Sequence, residues 1–440
     1  MKQILQKGDQ KLLNAWAFYD WANSVYSLVI ASAVFPLFYG ALFRAQQIES
    51  VAVFGMMIRK TPLIFYTTAI AFTIVAVISP ILSGIADYLG NKKFFLKLFC
   101  YLGALSTIGL FWFELEYIYL GLLLYLLALV GFWGSLVFYN SYLPDIAYPE
   151  QHDKISAKGF SMGYVGSVLL LILCLAMILG YEQFGFKDAG LPTRLSFVLT
   201  GLWWIGFSQY TYLYLPKGNK QGGKLTKDVV FQGFNELKGI WKSMQHQLRL
   251  KRYLIAFFVY SMAVQTVMLA AAYFGEQELE WGSDDERTTG LIVSILLIQL
   301  VAVVGAILTS RLSARIGNVK ALIVINIIWI VICAWAYFVY TPVQFYITAG
   351  FVGLVMGGIQ SLSRSTYAKF LPHTDDTTSY FSFYDVAEKI GIIIGMFLYG
   401  LIEDLTGSMR YSIVFLILFF VVGVLLLTRV PKDRTIRTTS

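Results

Sequence analysis

Of the 440 residues, 58% are hydrophobic and 14% charged, and mean hydropathy is +0.66, whereas soluble domains carry about 25% charged residues, so a water-soluble fold is excluded. The net charge of +8 comes from basic residues scattered over short loops beside apolar runs, which fits membrane topology and argues against nucleic acid as a partner. Cys100, Cys174 and Cys333 all fall inside apolar runs, and no Cys or His pair has metal-ligand spacing; neither a metal nor a cofactor is expected.

The apolar runs suit helices crossing a hydrocarbon core of about 30 Å, and the alternating pattern of an outer-membrane barrel is missing. In chain order the spans fall at 14–42, 61–87, 94–113, 117–141, 156–181, 193–215, 253–275, 288–311, 320–340, 344–368, 379–402 and 410–430. The first is too long for a signal-peptide core and is kept as a helix. The expectation is an all-α integral membrane protein of twelve transmembrane helices in two six-helix, pseudo-symmetric halves: residues 1–215, a cytoplasmic linker 216–252, and residues 253–440.

The linker (PKGNKQGGKLTKDVVFQGFNELKGIWKSMQHQLRLKR) is the one long polar interval, with nine Lys and Arg. Beyond a Gly-rich start to about Gly223, Val230, Phe234, Leu237, Trp241, Met244 and Leu248 step by three or four, with Lys227, Lys238, Lys242 and Arg249 around them, which predicts an amphipathic helix at the membrane surface or under the two halves. Of 34 Lys and Arg, 26 lie at the face of the linker, seven at the other, and Lys389 inside a span. The positive-inside bias therefore puts the linker and both termini in the cytoplasm of a multi-pass protein of the cell (inner) membrane.

An internal echo supports two halves. Residues 83–93 (SGIADYLGNKK) follow span two and residues 310–320 (SRLSARIGNVK) follow span eight, sharing a Gly-Asn-x-Lys ending 227 residues apart. Leu143-Pro144 and Leu371-Pro372 repeat the correspondence after spans four and ten, as parallel repeats about an axis along the membrane normal would.

Residues 83–93 resemble the loop signature between the second and third helices of the major facilitator superfamily. Ile85, Ala86, Asp87, Gly90, Lys92 and Lys93 fit, while Ser83, Tyr88 and Asn91 replace a glycine and two arginines. FYDWANSVYSLVI (18–30), NSYLPDIA (140–147), GGIQSLSRSTYAKFLP (357–372) and FSFYDVAEKIG (381–391) resemble the vacuole-effluxer family of amino-acid exporters and their bacterial relatives, nearly throughout the chain. The resemblance implies the major facilitator fold, a conformational latch around Asp87, Gly90, Lys92, Lys93 and Arg364, and a cavity lined partly by span seven. Span seven departs from it: Met262 and Ala263 stand where many relatives are expected to carry Asp-Gly.

Ionisable groups inside a bilayer are costly and therefore functional candidates. Asp20 is the clearest, with Asn23 and Ser24 on or near its face; the aromatics Trp16, Tyr19, Trp21 and Tyr26 fit either the wall of a cavity or a membrane-interface belt. It fits a cavity between the halves, or an interfacial anchor near the helix N-terminus. In span eleven, Asp385 and Lys389 are four apart, so they can neutralise each other; alternatively Asp385 meets Arg364 and leaves Lys389 facing the pathway. Gln265, Gln299, Gln360 and Asn140 are hydrogen-bonding candidates or interhelical glue, and glycine-rich faces in spans five, ten and eleven allow close packing. The expected substrate or proton-coupling set is Asp20, Asn23, Tyr26, Gln265, Asp385 and Lys389.

No catalytic set is found; Gly218, Gly223 and Lys224 mimic a nucleotide-binding loop, but Leu225 replaces its Ser/Thr. The leading expectation is a monomeric secondary transporter of a small polar solute, an amino acid or similar metabolite, directed outward and coupled to protons. The alternatives are an exporter of drugs or sugars, and a non-transporting receptor or scaffold on the same fold.

Overall fold

The computed structural model describes residues 5–218 and 229–431. Among the described residues twelve long helices follow one another: α1 (Gln10–Ala45), α2 (Lys60–Leu89), α3 (Lys92–Gly109), α4 (Ile118–Ser141), α5 (Pro149–Leu179), α6 (Gly190–Tyr214), then α7 (Leu248–Gln277), α8 (Asp284–Ile316), α9 (Asn318–Ala336), α10 (Pro342–Phe370), α11 (Thr377–Thr406) and α12 (Met409–Thr428). A separate linker helix, Val229–His246, lies between the two sets of six. Ten of the twelve are long and apolar enough to cross a membrane on composition alone. The other two fall short for identifiable reasons: α6 is rich in Trp, Tyr and Ser, and α11 carries Asp385, Glu388, Lys389, Glu403 and Asp404.

Helix α1 is continuous but widens into a π-helix over Tyr26–Val34. Pro36, two residues beyond its end, has no N–H to give the carbonyl four residues back, so the register opens just before it. The connection to α2 is a β-hairpin, Ser50–Val53 against Met56–Arg59, where only a loop is expected from hydropathy. Its turn residues Phe54 and Gly55 both have positive φ, the geometry that matches the twist of a two-residue hairpin.

Several helices overrun the apolar spans, and the excess is polar. α5 starts at Pro149, seven residues before the expected 156, adding Glu150, His152 and Asp153, with Gln151 Oε1 accepting from Tyr148 N at 2.9 Å. α8 continues to Ile316 through SRLSARI. Hydropathy misses these turns because they project beyond the lipid, where a helix no longer needs apolar side chains.

The halves meet where α5 packs on α8 and α10, and where α11 packs on α2 and α4. The linker helix lies along α2 and also touches α7 and α11. Met244 and Ile240 are buried, and Trp241 lies 5.7 Å from the Phe383 ring, while Leu248 belongs to α7 and is exposed. Ser243 and Gln247 reach the Tyr380 hydroxyl at 3.2 and 3.4 Å. The linker thus rests on the bundle itself; the Gly-rich start beyond Gly218, with Lys227, lies outside the described residues, and the side chains of Val230, Phe234 and Leu237 are not described. The start of α1 and the end of α12 are at this same linker face: Gly8 N donates to Ile146 O at 2.7 Å, and Arg252 Nη1 donates to Arg429 O at 2.7 Å.

Candidate functional site

The turn between α2 and α3 is tight because Gly90 adopts a left-handed conformation, φ 63°, which a residue with a Cβ enters only at a cost. It closes α2 and sends the chain back as α3. Asp87, one turn before it, is buried and accepts hydrogen bonds from the backbone N–H groups of Ser379 at 2.7 Å and Thr378 at 3.4 Å. These are orphan donors at the N-terminus of α11, so a carboxylate from one half satisfies and charge-complements a helix start in the other.

Lys92 is ion-paired with Asp145 of the one-turn helix Leu143–Ile146 and donates to Ser141 O at 3.1 Å and Thr377 Oγ1 at 3.0 Å, 4.5 Å from the Tyr142 ring centroid. Lys93 turns the other way, donating to Leu215 O at 2.7 Å, which ties the turn to the start of the linker.

A second clasp stands opposite. Asp153, in the polar overhang of α5, accepts from Lys369 Nζ at 2.6 Å, Asn318 Nδ2 at 2.8 Å and Ser313 Oγ at 2.9 Å. Asn318 belongs to the second Gly-Asn-x-Lys turn. The two related turns thus both hold the opposite half, but the acid is on the turn in the first and on the partner helix in the second.

Deeper in, Arg364 of α10 crosses to the first half. Its guanidinium lies 3.2 Å from Asp20 Oδ2 and donates to Ser156 Oγ at 2.9 Å, Ser156 O at 3.0 Å and Asn140 Oδ1 at 3.2 Å. Tyr139 Oη donates to the same Asp20 oxygen at 2.8 Å, and the guanidinium lies 4.8 Å from the Trp16 ring and 4.2 Å from the Phe160 ring. Asp20 is 4% and Arg364 3% exposed. A Cβ at Gly159 would stand 2.3 Å from Asp20 Oδ2, so the glycine makes the space that the carboxylate fills. This removes the interfacial-anchor reading of Asp20.

The second deep cluster lies on α11. Lys389, fully buried, pairs with Asp385 at 2.5 Å and Glu388 at 3.1 Å, and Glu388 accepts from Gln265 Nε2 of α7 at 2.7 Å. The Trp133 ring, from α4 of the other half, covers the ammonium at 3.9 Å. Among the described residues Asp385 Oδ2 has no hydrogen-bond partner. Arg364 pairs with Asp20 and Asp385 with Lys389, so the expected alternative of an Asp385–Arg364 contact is corrected: the acid finds its base one turn away on its own helix.

Of the sequence candidates, Gln265, Asp385 and Lys389 converge, and Asp20 joins Arg364. Asn23 and Tyr26 reach neither cluster. Asn23 is buried with Oδ1 3.4 Å from Ser24 Oγ, and Tyr26 packs between Phe132 and Trp204 inside the first half. Tyr19 is likewise a core residue and Trp16 lies buried against the Arg364 guanidinium, so neither sits in an interfacial belt. Among the bridging residues, Asn140 binds Arg364, and Gln360 accepts from Tyr164 Oη at 2.7 Å. Sequence reading misses Asp153, Ser156 and Trp133, and reads Gly159 only as a packing glycine of span five. Asp145, Asn318 and Lys369 lie inside motifs that it singles out, but their partners belong to distant segments.

A family profile described as "Vacuole effluxer Atg22 like" matches residues 8–440. The MFS-type transporter YxiO of Bacillus subtilis (strain 168) is 33% identical over 432 residues, covering 98% of this chain and 97% of that one. Autophagy-related protein 22 of Cryptococcus neoformans var. neoformans serotype D (strain B-3501A) is 29% identical over 302 residues, 64% of this chain; the chain spans about half of that longer relative, 53%. The E. coli fucose:proton symporter FucP superposes with a TM-score of 0.65 at 16% identity, covering 96% of this chain and 98% of that one, a likeness of fold alone. With a match over almost its whole length and twelve helices arranged as in a major facilitator transporter, the chain belongs to the vacuole effluxer Atg22-like family of multi-pass, non-enzymatic membrane transporters.

Proposed function

We propose that the chain exports a small polar solute, an amino acid or similar metabolite, by alternating access across the cell membrane, with a proton moving the opposite way. One observation carries this reading: two carboxylates, Asp385 and Glu388, share one ammonium, Lys389, where α11 meets α4 and α7. The cluster has one negative charge more than its bases neutralise when all three groups are ionised. A buried net charge needs a countercharge. A proton and the ammonium of an amino acid satisfy the same need, and two ligands competing for one charge exchange for one another.

The Asp20–Arg364 pair and the two clasps hold the halves together at the linker face, so substrate must leave through the other. With the linker face in the cytoplasm, as the positive-inside bias has it, this is a limb of the cycle closed to the cytoplasm. Opening to the cytoplasm requires these contacts to part as the halves rock. The protein acts as a monomer in this scheme, because both halves come from one chain.

Proteoliposomes with an imposed pH gradient test it. Amino-acid efflux that rises with an inward proton gradient, and loses that dependence in Glu388→Gln while exchange of labelled amino acid persists, is the expected result. Flux without any response to the gradient would remove the proton; flux of sugars or hydrophobic cations alone would remove the substrate class.

A further inference from the structure

A groove of about 290 Å³ opens on the flank of the first half, lined by Asn14 and Phe18 of α1, Lys158 and Met162 of α5, and Tyr210 of α6. It is not part of the seam between the halves. Phe18 and Tyr210 meet edge to face at 5.1 Å to form its wall.

Its level in the membrane follows from helix length. α5 has 31 residues, about 46 Å at 1.5 Å per residue, against a hydrocarbon core of about 30 Å. The surplus of about 16 Å lies at the linker face, where the first turns are polar, and this places Lys158 at the boundary between headgroups and acyl chains.

The chemistry of the groove changes along its length. Lys158 Nζ donates to Asn14 Oδ1 at 2.6 Å and has no carboxylate partner among the described residues. Lys11, over the Tyr214 ring at 4.6 Å, is one turn of α1 nearer the surface, and Lys154 is one turn of α5 nearer the surface and exposed. The acids of this corner are otherwise placed: Asp9 accepts from Gln6 N, and Asp153 faces Lys369; Glu150 is exposed at the start of α5. Towards the membrane centre the same stripe of α5 continues as Met162, Val165 and Leu169, the last two exposed, and the exposed Phe207 of α6 packs on Phe18 at 5.9 Å. These steps of three and four keep one helical face, so beyond the groove an apolar stripe of α5 continues its line, the two together spanning about 16 Å from Lys158 to Leu169.

We infer that this groove binds an anionic phospholipid, its phosphate at Lys158 and Lys11 and an acyl chain along Met162, Val165 and Leu169. A free phosphate would not need the apolar floor, and a zwitterionic lipid would not need two cations that have no carboxylate partner among the described residues.

The test uses the full chain, stripped of lipid in detergent, with phosphatidylglycerol, phosphatidylcholine or glycerol phosphate added, and bound molecules counted by native mass spectrometry. Phosphatidylglycerol is retained in preference to phosphatidylcholine, and Lys158→Gln with Lys11→Gln weakens it by about fivefold for each lysine neutralised. Lys158→Arg keeps the charge and the binding, whereas Met162→Trp keeps the charge but fills the groove and loses it. These two variants distinguish a lost site from a misfolded protein. Equal retention of both lipids, unchanged retention in the double variant, or displacement by glycerol phosphate would each overturn the assignment.

Discussion

Replacing Asp20 with Asn removes one charge while keeping the shape of the side chain, and its effect follows from the surroundings of Arg364. The guanidinium is 3% exposed and keeps three neutral acceptors, Asn140 Oδ1, Ser156 Oγ and Ser156 O. Removing one member of a buried pair costs about 3 to 5 kcal/mol, and with those acceptors in place the lower end applies. Because the pair joins α1 to α10, the loss falls on the state in which the halves are closed at the linker face. About 3 kcal/mol shifts that equilibrium roughly 150-fold. Spin labels at Glu150→Cys and Arg315→Cys, exposed positions on opposite halves at this face, report it by their distance distribution, and the native cysteines, all buried, stay out of the labelling. A narrow short distance in the parent and a longer, broader population in Asp20→Asn is expected. An identical distribution in both, with the same thermal inactivation, would refute the argument that this pair holds the halves.

Three further outcomes follow from the same geometry. Gly159→Ala places a methyl 2.3 Å from the Asp20 carboxylate, so it should lengthen the label distance as Asp20→Asn does, although no charge has changed. Asp87→Asn keeps an acceptor for the α11 N–H groups and loses only the charge–dipole part, about 0.3 to 1 kcal/mol, so its shift should be smaller than that of Asp20→Asn. Lys389→Met strands Asp385 and Glu388 and should lower the yield of folded protein in a thermal-unfolding assay; adding Asp385→Asn should restore part of it, and a purely additive double variant would show that the two residues do not act as a pair.

The clasps show why some of this was legible in sequence and some was not. The Gly-Asn-x-Lys turns repeat because each half has the same helix-turn-helix connection, and a local φ requirement leaves a local residue signature. Asp153 leaves none. It sits in a polar overhang that looks like loop, and its partners Ser313, Asn318 and Lys369 lie more than a hundred residues away. Asp385 and Lys389 were visible as a pair because helical spacing alone brings them together, and Trp133 was not, because only the packing of α4 on α11 puts a ring over the ammonium.

The sequence by itself determined the class of the protein, the number and order of its membrane helices and its division into six and six, since hydrocarbon admits few structures and apolar run lengths report them directly. It also identified the costly charges, because any ionisable residue inside a span stands out against the lipid. Tertiary structure alone decided the partners. Arg364 could have met Asp385 or Asp20, and the choice depended on how α10 packs across α5 towards α1, with Gly159 leaving the space. Tyr26 shares a stretch with Asp20, yet it stands six residues on, about 120° round the helix, and the packing of the first half sends it between Phe132 and Trp204 instead of to the seam.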